Sequence, residues 1–213
     1  MSSLPFEVRT GLVDTGWCDF YVRLGDQSWS CRASYIGEYP LVPLIRSAVD
    51  MHARLFESHC RGEKPFRDST VTAEPGGILI RVSPSGTMIK VTIFYSESNV
   101  FDSRNIDRPT ADRPYIPPVA EGLVDYWDYA DAIFVDAAKA IVRQGFVGLR
   151  EAWSPGSWGA DFDGYDPHFP TDLFPTDRFF YLAALKKYRS PKPKMSFEEE
   201  LSLLQQLHEQ YKS

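Results

Sequence analysis

The chain has 213 residues, 43% of them hydrophobic and 14% aromatic, with a formal net charge of -6. That length buries a sizeable core without disulfide or metal staples, and that much apolar material excludes a disordered chain. The N-terminal "MSSLPFEVRTG" lacks a basic head followed by an apolar core, and no run approaches the length of a membrane span, so we expect a cytoplasmic protein with no membrane association.

"FEVRTGLV" offers an edge strand ahead of a hairpin made from "WCDFYVRL" and "SWSCRASYI". A two-residue turn at Gly25-Asp26 pairs Leu24 with Gln27, Val22 with Trp29 and Phe20 with Cys31. Cys18, Phe20, Val22 and Leu24 then share one side of the sheet with Trp29, Cys31, Ala33 and Tyr35. Cys18 falls opposite Ala33, so Cys18 and Cys31 read as neighbouring reduced thiols. With Cys60 the count is three and there is no C-x-x-C pair, which argues against a disulfide framework or a zinc site.

From Pro40 to about His59, Leu41, Leu44, Ile45, Ala48, Val49, His52, Leu55 and Phe56 recur with helical period, and Pro43 stands in the first turn, where its missing amide is harmless. His52 reads as a core histidine. "STVTAEP", "GILIRVS" and "TMIKVTIFY" predict three further strands, joined by turns at Glu74-Pro75-Gly76-Gly77 and Ser83-Pro84-Ser85-Gly86, Pro followed by Gly being what a type II turn asks for. Residues 96 to 119 hold four prolines and read as a long loop.

A strongly amphipathic pattern predicts a helix over about 120 to 145. Leu123, Tyr126, Trp127, Ala130, Ile133, Phe134, Ala137, Ala138 and Ile141 lie on one arc, and Glu121, Asp125, Asp128, Asp136, Lys139 and Arg143 lie on the solvated one. "TDRFFYLAALKKYR" and "SFEEELSLLQQLHEQYKS" read as two closing helices, the last opened by the Ser196/Glu199 capping pattern. The order predicts an α+β fold, a single mostly antiparallel sheet of about 5-6 strands covered on one face by helices, with extra C-terminal helices. Residues 1-175 would form the α+β domain and 176-213 a helical appendage.

The charge is segregated: residues 1 to 100, 101 to 177 and 178 to 213 carry -1, -8 and +3. An acidic middle segment disfavours a nucleic-acid partner and favours a cation or a basic protein. Within it, "GADFDGYDPHFPTD" spaces Asp161, Asp163 and Asp166 in the manner of a calcium loop. Against the EF-hand template, however, Tyr165 takes the fifth position and Asp166 the place of the turn glycine, and the flanking helices are missing. Serine-nucleophile and phosphate-loop signatures are absent from the sequence. Glu74 projects from a Pro-Gly turn and His168 from the aspartate loop, neither with a partner identifiable in sequence. No cofactor is indicated.

Taken in order, "GWCDFYV", "ASYIGEYPLVPLIRSAV", "EPGGILIRV", "IKVTIFY", "RQGFVGLREAW" and the closing Phe169-Pro170 are similar to a loose group of small uncharacterised bacterial proteins resembling the immunity-type proteins of toxin systems. The likeness covers about residues 16 to 175; the 96 to 119 segment is longer here and the C-terminal helix pair is extra. The resemblance implies a non-catalytic inhibitor that binds a basic toxin. The surface expected to receive it comprises Asp125, Asp128, Trp153, Trp158, Asp161, Phe162, Asp163, Tyr165 and Asp166, acidic groups rimmed by aromatic anchors. The alternative is a metal-assisted hydrolase or other small-molecule enzyme with Asp161, Asp163 and Asp166 as metal ligands and Glu74 or His168 assisting.

Overall fold

The computed structural model describes residues 3–34, 40–56, 65–97, 104–110 and 114–153. Three strands, β1 (Phe6–Asp14), β2 (Trp17–Leu24) and β3 (Gln27–Ser34), form one antiparallel meander. Helix α1 (Leu41–Phe56) follows. A second antiparallel meander then joins β4 (Arg67–Thr72), β5 (Gly77–Ser85), β6 (Met88–Ser96) and β7 (Pro118–Asp125), with the single turn α2 (Arg104–Asp107) between β6 and β7. Helix α3 (Tyr126–Trp153) closes the described chain.

The α+β class is as expected, but the single sheet of five or six strands is corrected to two sheets of three and four. Strands β3 and β4 flank the α1 crossover and pack together without a ladder, an isolated bridge between Ala33 and Ala73 linking the two sheets there. At the other end Leu4 donates its amide to the Leu123 carbonyl at 2.8 Å, so the start of β1 touches β7. The two sheets thus curve around one shared core. Each helix crosses to the other meander: α1 packs on β4 and β5, and α3 packs on β1 and on α1.

The first hairpin has the expected register, with Leu24 opposite Gln27, Val22 opposite Trp29 and Cys18 opposite Ala33. Gly25, at φ +63°, supplies the left-handed residue its two-residue turn needs. In the β5–β6 hairpin the turn moves. Ser85 pairs with Met88, and the reversal occurs at Gly86-Thr87 instead of within Ser83–Gly86, because Gly86 (φ +63°) adopts the left-handed conformation at the first turn position.

The larger correction concerns residues 120 to 125, which are strand and not the first turns of a helix. Ile89 faces Val124, Val91 faces Gly122 and Ile93 faces Ala120 across β6 and β7. Ladder pairing against a buried neighbour overrides the helical preference of Ala, Glu and Leu. The helix begins at Tyr126 because Asp125 caps it: its Oδ1 accepts the amides of Trp127 at 2.8 Å and Asp128 at 3.3 Å.

The core unites the inner faces of both sheets with the helices. Phe6, Val8, Cys18, Phe20, Val22 and Leu24 meet Ile78, Ile80, Val91 and Val124, with Leu44, Ile45, Met51, Tyr126, Tyr129 and Ile133 from the helices. Hydrogen bonds tie α1 to α3: Tyr129 Oη lies 2.6 Å from Ser47 Oγ, and Tyr126 Oη donates to the Ala48 carbonyl at 3.1 Å. On the outer face of the second sheet, Leu79 and Phe94 are covered by Ile106 and Ile116. Arg81 anchors that cover. It donates to Asp68 at 2.7 and 2.9 Å and to Asp107 at 2.8 and 3.1 Å, with Phe66 stacked 3.8 Å beneath its guanidinium. Burial alone would depress the Arg81 pKa, but the two carboxylates outweigh it and raise it.

Candidate functional site

Beside β1 runs a groove of about 710 Å³, walled by Phe6 to Thr10 on one side and by the outer flank of α3 on the other. The strand and the helix run in the same direction. Phe6 packs on Tyr129 with ring centroids 4.8 Å apart, Thr10 meets Asp136, and Arg143 reaches Thr10 and Gly11. Asp128 and Asp131 therefore line the groove at its Phe6 end, and Lys139 and Arg143 line it at the Thr10 end. Between them Ala132 and Val135 supply an apolar wall.

Asp136 departs from its expected place on the solvated arc. It is 7% exposed, and it accepts the Thr10 hydroxyl at 2.7 Å together with the Thr10 main-chain amide. Burial raises its carboxyl pKa, while the Thr10 hydrogen bonds and the Arg143 and Lys139 charges act against that rise. With both donors of Thr10 committed to it, the carboxylate holds the helix on the strand. Arg143 completes the clasp by donating to the Thr10 carbonyl at 2.9 Å and the Gly11 carbonyl at 3.0 Å. On the outer side of β1, Glu7 pairs with Arg9 and, at 3.0 Å, with Arg23, one carboxylate shared by two guanidiniums, which leaves a single positive charge.

Of the sequence-predicted site residues, Asp125 and Asp128 come together at the α3 N-terminus. Asp125 is half-buried and spends its carboxylate on the cap, whereas Asp128 is exposed at the groove mouth. Trp153 ends α3, and only its backbone is described. Trp158, Asp161, Phe162, Asp163, Tyr165, Asp166 and His168 lie outside the described residues, as does the C-terminal appendage. Glu74 is exposed on the β4–β5 turn and takes no part in the groove. Among the described residues, no three His, Cys, Asp or Glu side chains converge as metal ligands, and no helix is long and apolar enough to cross a membrane.

An aromatic cluster beside the α3 N-terminus is built from residues that sequence reasoning placed in the core. Phe56, 48% exposed at the end of α1, stacks on Trp127 with centroids 5.8 Å apart and an interplanar angle of 22°. His52 is buried against both rings and against Tyr126, at centroid distances of 5.0, 5.9 and 5.6 Å to Phe56, Trp127 and Tyr126. Trp127 immediately precedes Asp128, so the stack and the exposed carboxylate share the first turn of α3. A signal for this was present, since Phe56 is the last member of its helical stripe. Cys18 and Cys31 are free thiols, and burial pushes both up to about 12, which leaves them protonated and weakly nucleophilic.

Compared with known proteins, the chain matches no family model, no curated protein and no solved structure.

Proposed function

We propose that the chain is a non-catalytic protein-binding module that uses the first turn of α3 and the adjoining groove as its contact surface. The observation that carries the reading is the exposed Phe56 ring stacked on Trp127 beside the exposed Asp128. An aromatic ring already ordered by its neighbour contributes contact area at little conformational cost, and an adjacent carboxylate speeds and orients the approach of a positively charged surface. The partner is a basic protein. Given the acidic middle of the chain and the resemblance of its segments to immunity-type proteins, that partner is a toxin held inactive in the cell that makes it.

The test is co-expression of the tagged chain with the products of neighbouring reading frames, scored by co-purification and by protection of growth. One basic product should be retained and its toxicity suppressed, and Phe56→Ala and Asp128→Lys should each weaken retention by about tenfold or more. If no neighbouring product is retained and deletion of the chain leaves growth unaffected beside all of them, the reading is wrong.

A further inference from the structure

An edge strand offers unpaired main-chain groups to any extended segment that reaches it, and folded proteins usually close such edges. In β1 the residues alternate in direction. The Pro5 carbonyl accepts from Gly25 on the β2 side, whereas the Leu4 amide and the Thr10 carbonyl point the other way, to Leu123 and Arg143. By the period of two, the amides and carbonyls of Phe6 and Val8 also point away from β2. The edge is closed at both ends, by β7 at Leu4 and by Asp136 and Arg143 at Thr10 and Gly11. Among the described residues nothing closes it at Phe6 and Val8, and there it opens into the groove against α3.

We propose that an extended segment of the partner adds to β1 as an extra strand at Phe6 and Val8, seated between β1 and α3, with a basic side chain toward Asp128. This rests on the protein-binding reading above and specifies how the partner is held. A strand edge with a helix as the second wall is the arrangement in which added strands are recognised: main-chain hydrogen bonds provide affinity, and the helix reads alternate side chains. The distance from Leu4 to Thr10 is about 20 Å at the rise of a strand, room for a segment of about six residues. A groove of about 710 Å³ is of the size that holds a bound ligand.

Charge sets the preference. Glu7 with Arg9 and Arg23 leaves one positive charge, Asp128 and Asp131 together outweigh it, and Arg143 is engaged with carbonyls, so the Phe6 end is net negative and Asp128 is its exposed carboxylate. Ala132 and Val135 on the facing wall suit small or β-branched side chains.

The test uses the full chain and blocked eight-residue peptides of alternating Val and Thr that carry Lys at one end. Matched peptides carry Glu there, or N-methyl groups on alternate amides. In amide-resolved NMR spectra the Lys peptide should slow hydrogen exchange at Phe6 and Val8 by about tenfold or more. The Glu peptide should bind about tenfold more weakly, Asp128→Lys should reverse that order, and N-methylation should abolish binding. Unchanged Phe6 and Val8 exchange at millimolar Lys peptide, or binding indifferent to N-methylation, overturns the proposal. The same spectra with a partner retained in co-purification separate the two readings. Changes confined to Phe56, Trp127 and Asp128 would defeat strand addition and leave partner binding intact, whereas strand addition by peptide with no retained partner would defeat only the toxin-inhibitor reading.

Discussion

Asp136 is the residue whose replacement most directly probes how α3 is fastened to β1. Its carboxylate is buried and accepts two donors from Thr10. Asp136→Ala leaves both donors without that acceptor, at about 1–3 kcal/mol for each buried unsatisfied group, while removing a buried charge that is itself unfavourable. A net loss of about 2–3 kcal/mol is the expected balance. Asp136→Asn keeps an oxygen for the Thr10 hydroxyl and should cost less than about 1.5 kcal/mol near neutral pH. The pH dependence gives a second, independent check. Because the folded-state pKa of Asp136 is raised, the native state binds the proton more tightly than the unfolded chain. The buried charge therefore imposes no penalty below the ordinary carboxylate range, and its cost grows as the pH rises from there through the raised value. Urea unfolding of wild type, Asp136→Asn and Asp136→Ala at about pH 4 and about pH 7.5 reads this out. Wild type should lose stability relative to Asp136→Asn on going to the higher pH. A difference that does not change with pH, or one of opposite sign, would refute the argument that burial dominates this carboxylate, and a neutral Asp136→Ala would refute the clasp itself.

Three further outcomes test the surrounding packing. Tyr129→Phe and Ser47→Ala each break the 2.6 Å contact between α3 and α1 and should cost about 1 kcal/mol singly in urea unfolding, with a double-mutant cycle showing favourable coupling. Gly76→Ala should destabilise by about 3 kcal/mol or more, since Gly76 lies at φ +97° and an added Cβ would stand 2.1 Å from the Ser96 carbonyl oxygen. Gly86→Ala, at φ +63° with open space around it, should cost only about 1–2 kcal/mol, so equal thermal shifts for the two would contradict the steric account. Cys18 and Cys31, pushed up to about 12, should alkylate at least about a hundredfold more slowly in the native chain at pH near 8 than in urea, as followed by peptide mass spectrometry.

Much of the architecture was legible because it is written in local pattern. The first hairpin needed only alternating apolar residues and a Gly-Asp turn of fixed length, and its register follows from those two features alone. The stripe from Leu41 to Leu55 likewise announced a helix with a buried side. What the sequence could not decide is how distant segments meet. Residues 120 to 125 have helical composition and became a strand because β6 lay beside them. Asp136 looked like part of a solvated arc and became buried because Thr10, 126 residues earlier, came to rest against it. Phe56 belonged to an apolar stripe, yet at the end of α1 it is half-exposed and its ring stacks on Trp127, much later in the chain. For β1 to β6 and α1, composition and spacing determined the class of the element and the face it buries, since those depend on neighbours within a few residues. The gap between β1 and α3, and the short stretch of strand edge it leaves open, depends on long-range packing between the two ends of the described chain, and only the tertiary structure could place it.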